Sequence, residues 1–480
     1  MVACTTPTAQ SPADHRLAPS LDTRPAWTAH ASWFALVHSL FEFWEWLKRL
    51  ARHPVPPGTD WRYVLGSATL VAFLVQVVTG TVLATVYVPS TADAYHSLEV
   101  ITNGGGLGRI LRGMHYFGAG AMMILIGAHI SRVFLTGSYK HPREMNWFTG
   151  AILFLLTLIM AFTGQLMRWD QDGIWSSVIA AEQAARTPGI GRWLAHVILG
   201  GATVGGPTLS RAFATHVFFI PGLIIVGVVF HIALLLKNGI SERTSLGAPR
   251  ESADYIPWYR ELLEKRGRPF WPFAAWRDAV MAFAVVAAII ALAVVVGPKA
   301  LGRPPDPTAV DASPRPDWYF MWYFAFLAWI PKATEPYVIV LAPLLFGLVL
   351  VALPFVFGHG GRRFRDRPWA IPIIVAAVVI VGFFWQLGER APWSPDFAAP
   401  PLAADVTGAK VFHDRGCEFC HAIGHDGGHY GPDLTTVGRR MDHAQIISRI
   451  LGGGNGMPGY ALKLGDGELA ALVSFLESRH

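Results

Sequence analysis

Two apolar stretches, each with a histidine near both ends, limit most strongly what this chain can fold into. In the first stretch, His115 and His129 are 14 residues apart. Fourteen residues make about four turns of an α-helix, so both imidazoles leave the same face, about 21 Å apart along the axis. The second stretch carries His216 and His231, which are 15 residues apart. Histidines inside a membrane helix are costly and usually functional.

The composition indicates an all-α integral membrane protein. Hydrophobic residues make up 52% of the 480 residues and charged residues only 15%, which is too apolar for a soluble enzyme of this length. The net charge of +6 lies in the loops and gives no sign of nucleic-acid binding. Seven segments are long and apolar enough to cross a bilayer, namely 64–88, 111–135, 147–167, 212–237, 274–297, 335–357 and 369–388.

The distribution of charge predicts how these spans are oriented. Lys and Arg are concentrated in the loops 136–146, 238–273 and 358–368 and just before the first span, and the positive-inside rule makes that side cytoplasmic. An odd number of crossings then places the C-terminal region outside. Residues 1–30 are polar and lack an apolar run, so we expect no cleavable signal peptide there. The segment 32–52 predicts an amphipathic helix on the membrane surface.

The topology pairs the histidines of the second and fourth spans, which run parallel. We expect His115 opposite His216 on the outer side and His129 opposite His231 on the inner side. A lone membrane histidine can simply hydrogen-bond a carbonyl, but two matched pairs favour bis-histidine ligation of two haem b groups. The longer spacing in the fourth span turns its second imidazole by about 60°. We expect a kink at Pro221 to absorb the extra residue.

Glycines and arginines at matching positions support this interpretation. Glycines 14 residues apart recur in the first and third spans, namely Gly66, Gly80, Gly150 and Gly164. Small residues let a flat macrocycle approach closely, although ordinary helix packing is an alternative. Arg112, Arg132 and Arg211 flank the histidines and could neutralise haem propionates or anchor the helices at the membrane edge.

The motif CEFCH near the C-terminus is typical of covalent haem attachment. Cys417 and Cys420 would bond the haem vinyl groups, and His421 would be the proximal iron ligand. Met457, in a glycine-rich run, is the expected distal ligand, and His/Met ligation raises the reduction potential. Zinc is a weaker alternative, because it needs further cysteine or histidine ligands at suitable spacing.

A second motif, Pro316-Asp317-Trp318-Tyr319, is predicted in the outer loop before the sixth span. A carboxylate beside a tyrosine at a membrane surface could accept a proton from a quinol, if it lies within hydrogen-bond reach. A proline-bounded turn with interfacial aromatics explains the motif equally well. The long connection 168–211 is also on the outer side, and connections of this length are often functional.

With these residues in view, the first 395 residues resemble cytochrome b of the quinol–cytochrome c oxidoreductases. They are most similar to the short version of photosynthetic membranes, in which a four-helix cytochrome b and a three-helix subunit four are separate chains. The resemblance is carried by VPPGTDWRYVLGS, RGMHYFGAGAMM, HISRVFLTGSYKHPREMNWFTG, VGGPTLSRAFATH and PPDPTAVDASPRPDWYF. The C-terminal tail resembles a small class I cytochrome c.

Some positions depart from the family pattern. Val64 stands where the photosynthetic type has a cysteine that holds an extra haem, and Leu236 where it has a basic residue, so we expect no extra inner haem. The family's PEWY is PDWY here, and its GYxLP run is GQLMRWDQ at 164–171, without the proline.

The resemblance implies the core subunit of a quinol–cytochrome c reductase. Quinol would be oxidised at the outer site near Asp317 and Tyr319. One electron would go to a Rieske iron–sulfur protein and on to the fused haem c. The other would cross the membrane through the two b haems to quinone, with proton translocation. The implied partners are the Rieske protein, a soluble or membrane cytochrome c, the quinone pool and a second copy of the complex. Alternatives are a b/c haem subunit that links quinone to another oxidoreductase without bifurcation, and a redox sensor.

These interpretations also predict the organisation and location of the chain. The expected segments are a tail with a surface helix (1–60), a four-helix cytochrome b domain (61–245), a three-helix domain (246–395), a linker (396–402) and a cytochrome c domain (403–480). The expected location is the bacterial inner membrane, with the N-terminus in the cytoplasm and the cytochrome c domain on the periplasmic side.

Overall fold

The computed structural model divides the chain into two compact units, Met1–His53 and Pro54–His480. It describes residues 42, 44, 45, 47–201, 203–306, 315–331, 334–390, 406–424, 426–427, 431–454 and 457–480. The polar tail 1–30, most of the predicted surface helix and the predicted linker 396–402 lie outside the described residues. The described residues 47–51 of that surface helix are helical.

Seven of the described helices are long and apolar enough to cross a membrane, which confirms the predicted fold class. These spans are Leu65–Ala84, Gly106–Leu135, Glu144–Leu166, Gly206–Asn238, Ala275–Val295, Glu335–Phe357 and Ala370–Arg390. The second and fourth spans begin earlier than the hydropathy predicted, at Gly106 and Gly206. Their first turns contain glycine and polar residues, which lower the mean hydropathy without interrupting the helix.

The first four spans build the bundle that carries the histidines. The first span packs along the second, and the third along the fourth. Between the two levels of histidines lies an apolar cluster that includes Phe73, Met122 and Ile224. The fifth span packs on the first and second, where Gly113 allows close approach: a Cβ there would stand 3.0 Å from the Cβ of Ala293.

The fourth span absorbs its extra residue in a way that the sequence did not predict. Thr215–Phe219 forms a π-helical turn, closed by the Ile220 N–H donating to the Thr215 carbonyl. A π turn inserts one residue into an α-helix, so the 15-residue spacing again spans four turns. The prediction that a kink at Pro221 absorbs the extra residue is therefore wrong, because the π turn absorbs it. Pro221 assists, since it has no N–H to donate to the carbonyl of residue 217.

Shorter helices fill the connections. They are Ala94–Asn103, Gln171–Ala185, Gly191–Leu199, Ser252–Arg266, Phe270–Phe273 and Trp318–Trp329. The PDWY motif thus lies only partly in a loop: Pro316 is non-helical, Asp317 is the N-cap of the helix Trp318–Trp329, and the next two residues form its first turn. The strands Pro54–Val55 and Arg268–Pro269 pair antiparallel.

A buried polar network joins three connections at the end of the bundle predicted to be cytoplasmic. Arg362 Nη1 lies 3.0 and 2.9 Å from the two carboxylate oxygens of Glu242, and both side chains are buried. The Tyr255 hydroxyl donates to Glu242 Oε2 at 2.5 Å, and Arg143 donates to the Tyr255 oxygen at 2.8 Å.

The C-terminal region forms a small helical domain. Its helices are Val406–Asp414, Val437–Arg440, His443–Gly452 and Asp466–Glu477, and its strands Ala422–Ile423 and Asp426–Gly427 pair antiparallel. The first and last helices pack through Phe412 and Phe475, whose ring centroids are 5.7 Å apart. The helical turn Cys417–Phe419 follows the first of these helices, and Cys417 packs partly buried against this core.

Candidate functional site

The histidines of the second and fourth spans face each other at two levels. The imidazole centroids of His115 and His216 are 6.3 Å apart, with the rings inclined by 74°. An imidazole nitrogen binds a metal at about 2 Å, so this separation leaves room for one metal atom between the two rings. His129 and His231 are also close enough to interact electrostatically. The structure therefore brings together both predicted pairs, and the residues fit bis-histidine ligation.

Each of these imidazoles lies against a glycine of a neighbouring span. A Cβ built on Gly66 would stand 3.1 Å from Cε1 of His129, and one on Gly80 would stand 3.1 Å from Cε1 of His115. The corresponding distances are 3.3 Å between Gly150 and His231 and 2.7 Å between Gly164 and His216. Such distances are shorter than ordinary van der Waals contact. The glycines singled out in the sequence thus make room for the imidazole rings.

Three threonines that the sequence patterns did not single out orient the rings. The Thr oxygens lie 3.0, 3.1 and 2.8 Å from the Nδ1 atoms in the pairs Thr79–His115, Thr163–His216 and Thr149–His231. Each hydroxyl also donates to a carbonyl of its own helix, for example Thr79 to Val75 at 2.6 Å. Its oxygen is then left to accept from a protonated Nδ1, which leaves Nε2 free for a metal. The signal in the sequence was a Thr-Gly pair at 79–80, 149–150 and 163–164.

The three predicted propionate arginines have different surroundings. In Arg132, Cζ lies 4.1 Å from the Tyr63 ring centroid, and Nε and Nη2 are buried without a hydrogen-bond partner among the described residues. Arg112 donates to Thr102 Oγ1 and to the Lys299 carbonyl, both at 2.9 Å. Arg211 donates to the Val197 carbonyl at 3.0 Å. Of the three, Arg132 has the nitrogens that best fit an anionic group.

An acidic residue near the His129–His231 pair was also not predicted from the sequence. Asp278, in the first turns of the fifth span, accepts a hydrogen bond from Ser67 at 2.5 Å. Ser67 follows Gly66, which lies against His129. A carboxylate within an apolar span is itself a signal of function.

The PDWY motif lies near the outer histidine pair. The Tyr319 hydroxyl donates to Asp317 Oδ2 at 2.9 Å. Burial, together with the adjacent Asp317 carboxylate, holds the pKa of Tyr319 well above its ordinary value. Asp317 is close enough to Tyr116, the neighbour of His115, to interact electrostatically. Pro316 is buried, whereas Trp318 is exposed.

Gln165, at the end of the third span, attaches the motif to the bundle. Its amide donates to Ser176 Oγ at 2.9 Å and to the Arg315 carbonyl at 3.5 Å. Its oxygen accepts from the Asp317 N–H at 3.4 Å. Gln165 stands in the GQLMRWDQ run, whose departure from the family pattern was visible in the sequence. The sequence did not show that this residue contacts the PDWY motif.

The CEFCH motif holds the His421 ring in an orientation that fits an iron ligand. The Nδ1 of His421 lies 2.8 Å from the Pro432 carbonyl, so Nδ1–H donates there and Nε2 is left for iron. Gly431 is required beside it, because a Cβ would stand 2.5 Å from the His421 ring. Burial raises the pKa values of Cys417 and Cys420 to about 12. Met457 packs partly buried against the domain core, and its role as distal ligand stays a prediction.

The attachment segment faces the connections that are predicted to lie on the outer side of the membrane. A cavity of about 370 Å³ is lined by Ala185, Arg186, Thr187, Pro188 and Arg192 of the 168–211 connection and by Ala422, Gly431 and Asp433 of the C-terminal domain. Lys463 Nζ lies 2.7 Å from Asp306 Oδ2, which belongs to the connection before the PDWY motif. The two motifs thus lie on the same side of the bundle.

Comparisons with known proteins agree with this arrangement. The family Cytochrome b/b6/petB matches residues 50–239, and Cytochrome C oxidase, cbb3-type, subunit III matches residues 403–476. Cytochrome b6 of Heliobacterium mobile is 41% identical over 194 residues, which are 40% of this chain and 91% of the relative. Cytochrome b6 of a Desmonostoc species is 37% identical over 187 residues, 39% of this chain and 87% of the relative.

A solved structure, "Hyperthermophilic respiratory Complex III", shares the fold with a TM-score of 0.63. It is 23% identical, and the match covers 75% of this chain and 92% of that chain. The predicted resemblance is confirmed, and haem b and haem c are the groups that these families bind. The protein, a multi-pass membrane protein, thus belongs to the cytochrome b/b6 family and carries a cytochrome c domain at its C-terminus.

Proposed function

We propose that this chain is the cytochrome b/c core subunit of a quinol–cytochrome c oxidoreductase. The observation that carries the proposal is the placement of Asp317 and Tyr319 beside Tyr116, at the level of the His115–His216 pair. A proton acceptor for quinol would then stand next to a site for a one-electron carrier. The membership in the cytochrome b/b6 family supports the same conclusion.

Asp317 is the residue that would take the proton from quinol. Tyr319 keeps its own proton, because its pKa is held high, and it donates to Asp317 Oδ2. It therefore orients the carboxylate and does not compete as a base. Gln165 fixes the backbone of the motif at the end of the third span. A positioned general base of this kind contributes about 10²- to 10⁴-fold to a reaction rate.

The remaining side chains would hold the carriers. When bound, haem b and haem c supply reversible one-electron chemistry at potentials set by their ligands. The proposed ligands are His115 with His216 and His129 with His231 for two haem b groups, and Cys417, Cys420, His421 and Met457 for one haem c. The threonine contacts support this assignment, because they leave Nε2 of three of the membrane histidines free.

The assembly that follows from this proposal has several parts. Quinol oxidation at the outer site would be bifurcated between a Rieske iron–sulfur partner and a path across the membrane to quinone at the inner site, with proton translocation. A soluble or membrane cytochrome c would be the acceptor, and the complex would be a homodimer. We place the cytochrome b domains at 61–245 and 246–395 and the cytochrome c domain at 403–480, on the periplasmic side of a bacterial inner membrane.

Quinol-dependent cytochrome c reduction by the purified complex tests the proposal. We expect Asp317→Ala to reduce the turnover about 10²-fold or more. The control is Asp93→Ala, which removes an exposed carboxylate of another connection and should have little effect. Equal activities in the two variants would contradict the role of Asp317.

Spectra of the same complex test the ligands. Redox titration should resolve two haem b signals and one haem c signal, and replacing His129 should remove only the inner haem b. If the two electrons of quinol are never divided between the two paths, the alternative of a b/c subunit that serves another oxidoreductase would be favoured.

A further inference from the structure

We propose that Arg168 binds a propionate carboxylate of the outer haem b, an inference that rests on the proposed function. Arg168 lies four residues after Gly164, the glycine against which His216 packs, and just past the end of the third span. In the run GQLMRWDQ it occupies the place of the proline in the family's GYxLP. The next residue, Trp169, has a φ of 46°. A bulky residue in this left-handed region is unusual and is often found at functional sites.

One nitrogen of the Arg168 guanidinium is anchored by carboxylates. Nη2 donates to Asp170 Oδ2 in a short hydrogen bond and lies 3.5 Å from Asp172 Oδ2. The side chain of Asp170 is fully buried, and it accepts from the N–H groups of Gly173 and Gly302, each at 2.9 Å. Because Asp170 is held by two backbone groups, the position of the arginine is fixed before any ligand binds.

The other two nitrogens of this guanidinium need an acceptor. Nε and Nη1 are buried and have no hydrogen-bond partner among the described residues. Buried donors of a charged group are costly when they stay unsatisfied. A guanidinium is best satisfied by a carboxylate or a phosphate.

The surroundings indicate which anion this is. Arg168 is close enough to Tyr116 and Arg112 to interact electrostatically with both. Tyr116 follows His115, so the unsatisfied nitrogens belong to the outer histidine level. The nitrogens Nη1 and Nη2 of Arg112 are already engaged by Thr102 and by the Lys299 carbonyl. A carboxylate beside Arg168 would also reduce the repulsion between the two arginines.

Potentiometric titration of the haem b absorbance, in the intact complex, tests this assignment. Removing a cation beside the haem favours its more positive, oxidised form, so the outer potential should fall in Arg168→Gln. We expect at least a tenfold change in the one-electron reduction equilibrium, which is 59 mV, with the inner haem b unchanged. Arg168→Pro, which restores the family residue, should cause a similar fall, and Arg168→Lys a smaller one because it keeps the charge.

The matched control is Arg109→Gln, which removes an exposed cation at the outer end of the second span. It should leave both potentials in place, because charges in water are screened. Unchanged potentials in both Arg168→Gln and Arg168→Pro would overturn the inference, as would a change in the quinol KM without any shift of potential. Absence of haem b from the wild-type complex would instead overturn the proposed function.

Discussion

The imidazole of His216 packs so closely on Gly164 that a Cβ at position 164 would stand 2.7 Å from its Cε1. We therefore expect Gly164→Ala to displace the ring and to lower the content of outer haem b. Overpacking of this kind typically costs about 1–3 kcal/mol. The measurement is the haem b to protein ratio of the purified chain.

The control for this substitution is Gly222→Ala in the fourth span, where a Cβ would meet nothing within 4 Å. That variant should retain both haem b groups, because alanine is a better helix former than glycine. A full complement of haem b in Gly164→Ala would show that the contact does not constrain the ligand.

The hydrogen bond between Thr149 and His231 predicts a different effect, on the orientation of a ligand. Thr149→Val removes the acceptor that lies 2.8 Å from Nδ1 but keeps the shape of the side chain. Loss of such a partner typically weakens metal binding by about 10- to 100-fold. We expect weaker retention of the inner haem b, measured by haem transfer to an apoprotein acceptor.

Thr157→Val is the matched control for Thr149→Val. Thr157 is also a buried threonine of the third span, and it donates to the Leu153 carbonyl of its own helix at 2.8 Å. Its replacement should leave haem retention unchanged. Equal behaviour of the two variants would mean that the Nδ1 contact has no influence on the ligand.

The buried pair of Glu242 and Arg362 should be important for stability. Glu242→Gln leaves Arg362 and Arg143 without the carboxylate that compensates their charge, although the shape is kept. Removing one partner of a buried ion pair costs about 3–5 kcal/mol. We expect a clear decrease of the unfolding temperature in detergent.

The comparison variant for this pair is Glu261→Gln, which removes an exposed ion pair with Lys265. It should unfold at nearly the wild-type temperature, because exposed pairs contribute little. If Glu242→Gln were equally stable, the network would not hold the three connections together.

The ion pair of Lys463 and Asp306 predicts how the C-terminal domain docks. Both side chains are partly exposed, at 44% and 39%, so the pair should contribute no more than about 1 kcal/mol. Gln171 fixes Asp306 by exchanging two hydrogen bonds of 2.8 Å with its backbone. We expect Lys463→Glu to lower the docking equilibrium constant by more than the loss of the attraction alone, about fivefold, because it adds a repulsion with Asp306, and high salt to reduce the difference.

Crosslinking between cysteines introduced at Arg192 and Asp433, which line the cavity between the domains, measures the docked population. The charge-swapped double variant Asp306→Lys with Lys463→Glu should recover the crosslinking. Lys410→Glu is the control, since Lys410 pairs with Asp414 in its own helix. Failure of the swap to recover crosslinking would show that docking does not depend on this pair.

Hydropathy and short motifs were sufficient to predict much of this protein. The number of spans, the shared helix face of His115 and His129, and the attachment motif around His421 follow from properties that are local along the chain. Helical periodicity determines which side chains share a face, and composition determines which segments enter a membrane.

The contacts between spans were decided only by the tertiary structure. The threonine acceptors, the π turn at Thr215–Phe219, the helix that begins after Asp317 and the unsatisfied nitrogens of Arg168 all depend on the rotation and depth of one helix against another. A local pattern does not specify those quantities, because many rotations bury similar apolar area. The sequence by itself thus determined the spans and the candidate ligands. Packing of the spans decided which atoms orient the histidine ligands and which buried arginine nitrogens have no acceptor among the described residues.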